Sequence, residues 1–304
     1  MAASLGTGIL TIAGGLNTLY GIESNTFILS IIALVIVATF ILSAISGLMK
    51  GIRLLSDWNI KAFIGLAIFV FICGPSLFIL KIGVESIGEF FQTFFQRSLY
   101  VGLSPEDNWS ESWTIFYWAN WLAWAPISAL FLGRLSLGYT VREFIHFNLV
   151  FPAIFGAIWM MIFGGTSLHL DYFGEGSPIY TILQNEGIEN VAFTVLGNLP
   201  FPQIISFLFL IIIFLSFVTA SDSNTSAMSG LSSTGISPDS PEPSLLIKVT
   251  WGITIGAVAL IMITNSGIDG VKMASNLGGF PALFFMLLAA WALVKLGRSP
   301  DILE

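Results

Sequence analysis

The chain has 304 residues, 55% of them hydrophobic and 10% charged, with a mean hydropathy of +0.88. A soluble domain carries about 25% charged residues, so too little polar surface is available to meet water, and lipid is the solvent this composition implies. A net charge of −7 and 11 scattered Lys and Arg argue against nucleic acid as a partner, and the single cysteine, Cys73, excludes an internal disulfide framework.

Crossing the hydrocarbon core takes about 20 residues of helix. In chain order the uncharged stretches of that length are residues 1–22, 27–49, 62–80, 112–133, 147–168, 190–221 (core 202–220), 249–268 and 273–294. The first is rich in Gly and Thr and carries the weakest signal. Lipid offers a strand edge no hydrogen-bond partner, so each stretch must be helical. The expectation is an all-α polytopic membrane protein with about eight transmembrane helices. With the C-terminus in the cytoplasm, Lys50, Arg53, Lys61, Arg134, Arg142, Lys248, Lys295 and Arg298 fall inside, and Lys81, Arg97 and Lys272 outside. This bias follows the positive-inside rule and places both termini in the cytoplasm.

Two connecting segments have their own character. Residues 82–100 place Ile82, Ile87, Phe90, Phe91, Phe94 and Phe95 among Glu85, Glu89, Gln92 and Arg97, the pattern of an amphipathic helix lying in the outer interface. Residues 222–244 are rich in Ser, Gly and Pro and read as an internal loop. His146 and His169 stand at opposite ends of the fifth stretch, without metal-site spacing.

The fourth stretch reads Trp113-Thr-Ile-Phe-Tyr-Trp-Ala-Asn-Trp-Leu-Ala-Trp-Ala-Pro-Ile127. Tyr117, Trp121, Trp124 and Ser128 follow i, i+4, i+7, i+11 spacing and share one helix face. Trp113 suits the membrane interface, whereas Trp121 and Trp124 lie too deep for an interfacial belt. Pro126 frees a backbone carbonyl nearby. An aromatic face inside a bilayer holds a cation that lacks N–H donors through the ring quadrupole. Packing against lipid or neighbouring helices is the competing reading of the same spacing.

The run Trp113-Thr-x-Phe-Tyr-Trp-Ala-x-Trp-x-x-Trp-x-Pro126, followed by Gly133-Arg-Leu-Ser and Tyr139-Thr-Val-Arg-Glu-Phe144, resembles the signature of the betaine/choline/carnitine transporter family. Ser46-Gly-Leu-Met-Lys-Gly-Ile-Arg-Leu-Leu-Ser56, Gly74-Pro75 and Phe217-Val-Thr-Ala-Ser-Asp-Ser223 are similar to that family at the expected places. The resemblance covers essentially the whole chain and implies a partial LeuT-like inverted-repeat transporter fold, forming one membrane domain. Residues 1–81 would be the last three helices of the first repeat, 82–100 the interfacial helix and 112–297 the second five-helix repeat. The family's first four helices have no counterpart, so the chain alone is expected not to transport.

The resemblance also implies roles. Tyr117, Trp118, Trp121 and Trp124 would contact a quaternary-ammonium solute such as glycine betaine, choline or carnitine. Where the family commonly has a further tryptophan, this chain has Asn120. A lost ring face costs about 1–2 kcal/mol when desolvated, roughly tenfold in affinity. Asn120 either contacts a different solute or packs on a neighbouring helix. Thr219 matches the first of a hydroxyl pair that binds sodium in sodium-coupled relatives, and oxygen ligands suit such a hard cation. The second position is Ala220, with the hydroxyl displaced to Ser221. Ser216 and Thr219 otherwise bond back to the preceding turn. Lys61 is either a cytoplasmic anchor or a charge standing in for sodium that permits proton coupling. Arg134, Arg142 and Glu143 would form a gating connector, or a plain charged loop. No cofactor beyond a sodium or proton coupling ion is expected.

The resemblance places the protein in the plasma (inner) membrane, as a homotrimer in contact through residues 82–100, with a small-molecule solute and the lipid bilayer as partners. A membrane enzyme would need paired ionisable groups within the spans, and these are nearly absent. A channel-like or non-transporting chain that needs a partner is the remaining alternative.

Overall fold

The computed structural model describes residues 1–45, 49–102, 104, 106–234 and 243–298, with the backbone alone at 44–45, 49–55 and 134–135. Most of the matched segment 46–56, the Arg134 side chain and part of the segment 222–244 lie outside the described residues.

Among the described residues all regular structure is helical. The elements are α1 (Ala2–Tyr20), α2 (Thr26–Ile45), α3 (Met49–Cys73), α4 (Ser76–Ser98), α5 (Phe116–Leu135), α6 (Val141–Ile145), α7 (Phe151–Phe173), α8 (Pro178–Asn185), α9 (Ile188–Gly197), α10 (Pro202–Leu231) and α11 (Leu245–Gly297). Wider, π-type turns lead into α5 at Ser110–Ile115 and into α7 at His146–Val150. Among the described residues seven helices are long and apolar enough to cross a membrane, and the last of them, 53 residues long, contains both of the final predicted spans. That helix is not straight. Gly267 adopts φ 53°, ψ −135°, and a Cβ on Gly270 would lie 2.7 Å from the carbonyl oxygen of Met262. Eight residues of continuous helix would separate these two by about 12 Å, so the chain turns sharply at Gly267.

Three boundaries differ from the sequence reading, each for a backbone reason. The third span ends at Cys73, because Pro75 has no N–H to continue the ladder. Ser76 Oγ donates to the Phe71 carbonyl at 2.5 Å and starts α4, so residues 76–80 belong to the amphipathic helix and not to the span expected to end at Leu80. The stretch 190–221 is two helices, divided between Pro200 and Pro202, where Phe201 has φ 58°. The expected loop 222–244 is helical as far as Leu231. Ser229 Oγ donates to Thr225 O at 2.6 Å and Ser232 Oγ to Met228 O at 3.0 Å, so these two hydroxyls turn back on the helix.

The helices form two compact units. One comprises Met1–Thr7, Leu99–Leu135 and the chain from Ser223 on. Here α5 packs along α11, and Gly6 lies against Ile263 and Val271 on either side of the Gly267 turn. The other comprises Gly8–Ser98 and Ser136–Asp222. Its core holds Phe40, Phe193, Ile36, Leu196 and Val70, all essentially buried. Gly8 admits Phe217 and Gly15 admits Phe193 and Leu210, the small-residue contact that membrane helices use to approach closely. Gly83 of α4 fits over Met161 of α7 in the same way. Asp171 Oδ1 accepts the N–H groups of Ile179 and Tyr180, both at 3.0 Å, and so ties the end of α7 to the start of α8.

Candidate functional site

The aromatic helix α5 has two distinct faces. One face is pinned to the second half of α11. A Cβ on Gly279 would lie 2.3 Å from the carbonyl oxygen of Ala119, and one on Gly278 would lie 3.3 Å from the Cβ of Ala123. Only glycine permits so close an approach. Beside this contact the Ser275 hydroxyl donates to Asn120 Oδ1 at 3.1 Å. Ser275 is buried and Asn120 half-buried.

The opposite face carries the rings. Tyr117, Trp121 and Trp124 fall within about 60° of one another at 100° per residue, roughly opposite the Ala119–Ala123 edge, with Trp118 at their flank. Tyr117, Trp118 and Trp121 are 50%, 66% and 68% exposed, and Trp124 is half-buried. A ladder of rings leads towards them from the helix start. Trp109 and Trp113 lie 5.7 Å apart at 33°, and Trp113 and Tyr117 stack at 5.9 Å and 18°. Among the described residues no ring stacks on Trp118, Trp121 or Trp124. The exposed rings of Trp118 and Trp121 can meet a cation, as a cation–π site requires. Asn120 is the i+3 neighbour of Tyr117 and has Trp124 at i+4, so its amide borders this face.

The hydroxyls of α10 are separated by the helix itself. Thr219 Oγ1 donates to Leu215 O at 2.9 Å and lies 3.1 Å from Ser216 O. Ser216 Oγ donates to Ile212 O at 2.8 Å and accepts from Asn59 Nδ2 of α3 at 2.7 Å. Ser221 is wholly buried, and its hydroxyl has no hydrogen-bond partner among the described residues. It points about 200° away from Thr219 around the helix. Lys61 is exposed, with its ammonium 5.5 Å above the Trp58 ring. Since Asn59 faces α10, Lys61, two residues on, faces away from it.

Glu143 belongs to a helix cap. Its Oε2 accepts the Thr140 N–H and hydroxyl, both at 2.8 Å, and Thr140 Oγ1 accepts the Glu143 N–H at 3.2 Å. This reciprocal capping box starts α6, and its Thr-x-x-Glu spelling was legible in the sequence. Arg142 contributes its carbonyl to a 2.7 Å contact with His146 Nδ1.

Sequence reasoning did not find Ser275 or Asn59. Neither lies in a motif, and each matters only because a helix distant in sequence brings a partner to it.

Apolar helices of spanning length define a multi-pass membrane protein, and the aromatic face of α5, with a polar amide at its edge, is its candidate site. The chain matches the family model for the betaine/carnitine/choline family transporters over residues 1–300, and it belongs to that family. It is 33% identical to an ectoine/hydroxyectoine transporter of Virgibacillus pantothenticus, over 95% of this chain and 56% of that protein. It is 35% identical to the glycine betaine transporter OpuD of Bacillus subtilis, over 95% of this chain and 55% of that one. To the osmo-dependent choline transporter BetT2 of Acinetobacter baylyi it is 32% identical, over 99% of this chain and 44% of that protein. The chain thus spans about half the length of these relatives.

Proposed function

We propose that the protein serves secondary transport of small quaternary-ammonium or related compatible solutes, and that the ring face of α5 binds the cationic end of the solute. The observation that carries this reading is the two-faced character of α5: Ala119 and Ala123 pack on α11, while Tyr117, Trp118, Trp121 and Trp124 are left towards a ligand. The relatives, which are named betaine, ectoine and choline transporters, support the solute class. In the whole protein the chain supplies the last three helices of one inverted repeat and all of the next, in the inner membrane with both termini cytoplasmic, and α4 forms the contact of a homotrimer. Sodium bound near Thr219 and Ser216 is the coupling ion, and the Ser221 hydroxyl, on the opposite side of α10, lies outside that site. The exposed, averted position of Lys61 favours this over a proton carried by that lysine. Arg134, Arg142 and the capped start of α6 at Glu143 act as the gating connector.

Because the chain spans part of its relatives, the test is one of binding. Isothermal titration with tetramethylammonium, on the chain in lipid nanodiscs, reads the ring face alone. Trp121→Ala or Trp124→Ala is expected to weaken binding about 2- to 30-fold, since a cation–π contact contributes about 0.5–2 kcal/mol. Saturable binding that is indifferent to both substitutions would remove the aromatic face from the function.

A further inference from the structure

Resting on the functional reading above, we infer that Asn120 recognises the carboxylate of a zwitterionic solute, and that Ser275 is the positioning residue that aims it. The amide has two ends. Ser275 Oγ lies 3.1 Å from Asn120 Oδ1, which leaves Nδ2, with its two N–H donors and no partner among the described residues, as the end available to a ligand. The Ser275 hydroxyl also lies 3.1 Å from the carbonyl of Val271, but that carbonyl already belongs to the backbone ladder of α11. Among the described residues Asn120 Oδ1 has no other donor, so the hydroxyl proton satisfies it. The pair is held in register by the glycine contact one turn along, where Gly279 meets Ala119.

Asn120 therefore sets amide donors on the border of the ring face, within one helical turn of Tyr117 and Trp124. A solute that carries a quaternary ammonium and a carboxylate a few bonds apart can place its cation on the rings and its anion on the amide. A cation such as choline has no carboxylate for these donors. The missing tryptophan is thus an exchange of general cation affinity for selection of zwitterions.

The test compares glycine betaine, choline and tetramethylammonium by titration calorimetry on the chain in nanodiscs. Glycine betaine is expected to bind about tenfold more tightly than choline, the ratio given by one charge-assisted hydrogen bond. Asn120→Asp, of the same shape but negative, should weaken glycine betaine and strengthen choline and tetramethylammonium. A merely structural role would move all three in one direction. Ser275→Ala should reduce the betaine-to-choline ratio several-fold, and Ser275→Thr, which keeps the hydroxyl, should restore it. Tighter binding of choline than of betaine, or a ratio unmoved by Asn120→Asp and Ser275→Ala, overturns the inference while leaving the ring face intact. Absence of tetramethylammonium binding in the wild type overturns the functional reading beneath it and this inference with it.

Discussion

Asn59 of α3 donates from Nδ2 to Ser216 Oγ of α10 at 2.7 Å, while its Oδ1 is buried without a partner among the described residues. A half-satisfied buried amide is costly, because an unmet polar atom forfeits its hydration. The two ends of this bond therefore should not respond alike to mutation. Ser216→Ala leaves the whole amide unpartnered and is expected to destabilise by about 1–3 kcal/mol. Asn59→Leu removes the orphaned oxygen together with the donor and is expected to stay within about 1 kcal/mol of wild type. Denaturant titration in mixed micelles measures both, and a larger loss for Asn59→Leu than for Ser216→Ala would contradict this accounting.

Gly279 stands where a methyl group has no room. The nearest atoms are the backbone oxygen and Cα of Ala119, at 2.3 and 2.5 Å from an added Cβ, and backbone cannot step aside as a side chain can. Gly279→Ala should push α5 from α11, lower stability by about 1–3 kcal/mol, and loosen the Asn120–Ser275 contact. Gly65 has open space around it, so Gly65→Ala is the matched control. It should be neutral or stabilising by up to about 1 kcal/mol through helix propensity. Thermal unfolding of the two variants in one detergent decides the point.

Gly267 is the turn of α11. Its φ of 53° with ψ of −135° is a combination that residues bearing a Cβ rarely adopt. Gly267→Ala is expected to cost about 1–3 kcal/mol in backbone strain. Paired spin labels at Ile261 and Met273 should report a longer distance in the variant if the turn straightens. An unchanged distance and stability would show that the turn is tolerant of a side chain.

Asp107 organises the segment before the aromatic helix. Its carboxylate accepts the Tyr100 hydroxyl through Oδ2 and the Trp109 N–H at 2.9 Å through Oδ1. The Tyr100 hydroxyl first, and then the Trp109 N–H, hold its pKa below the ordinary carboxylate value. A group whose folded pKa is depressed contributes order above its unfolded pKa, near 3.9, and loses it as the pH falls through the folded value. A nitroxide at Glu106→Cys, in a Cys73→Ala background, should therefore be ordered at pH 7 and become mobile only on acidification below the usual carboxylate range. Asp107→Asn should be mobile already at pH 7. Mobility that is independent of both changes would separate this segment from Asp107.

Much of the fold was legible because lipid imposes a simple condition. Uncharged stretches of spanning length must be helical, and the spacing of Tyr117, Trp121 and Trp124 fixes their common face through the 3.6-residue period alone. What misled was composition at helix ends. Residues 222–231 resemble a loop in water, yet they continue an apolar helix, and Ser229 near its end bonds back to the preceding turn. Gly74-Pro75 stands out as a motif in the sequence, but its effect as a break that starts α4 depends on where the backbone bonds fall.

The amino-acid sequence by itself determined the solvent, the helical class and the ring-bearing face of α5, because these depend on hydrophobic length and on residues near one another in the chain. Only the tertiary structure decided which groups complete the ring face and the α3–α10 contact. Ser275 lies 155 residues from Asn120, and Ser216 lies 157 from Asn59, and no local period relates residues so far apart. Those pairings arise where α11 and α10 pack against their neighbours, the first through a glycine that lets two backbones touch. The asparagine that the sequence showed as a missing ring is, in the folded protein, an amide held by a buried hydroxyl.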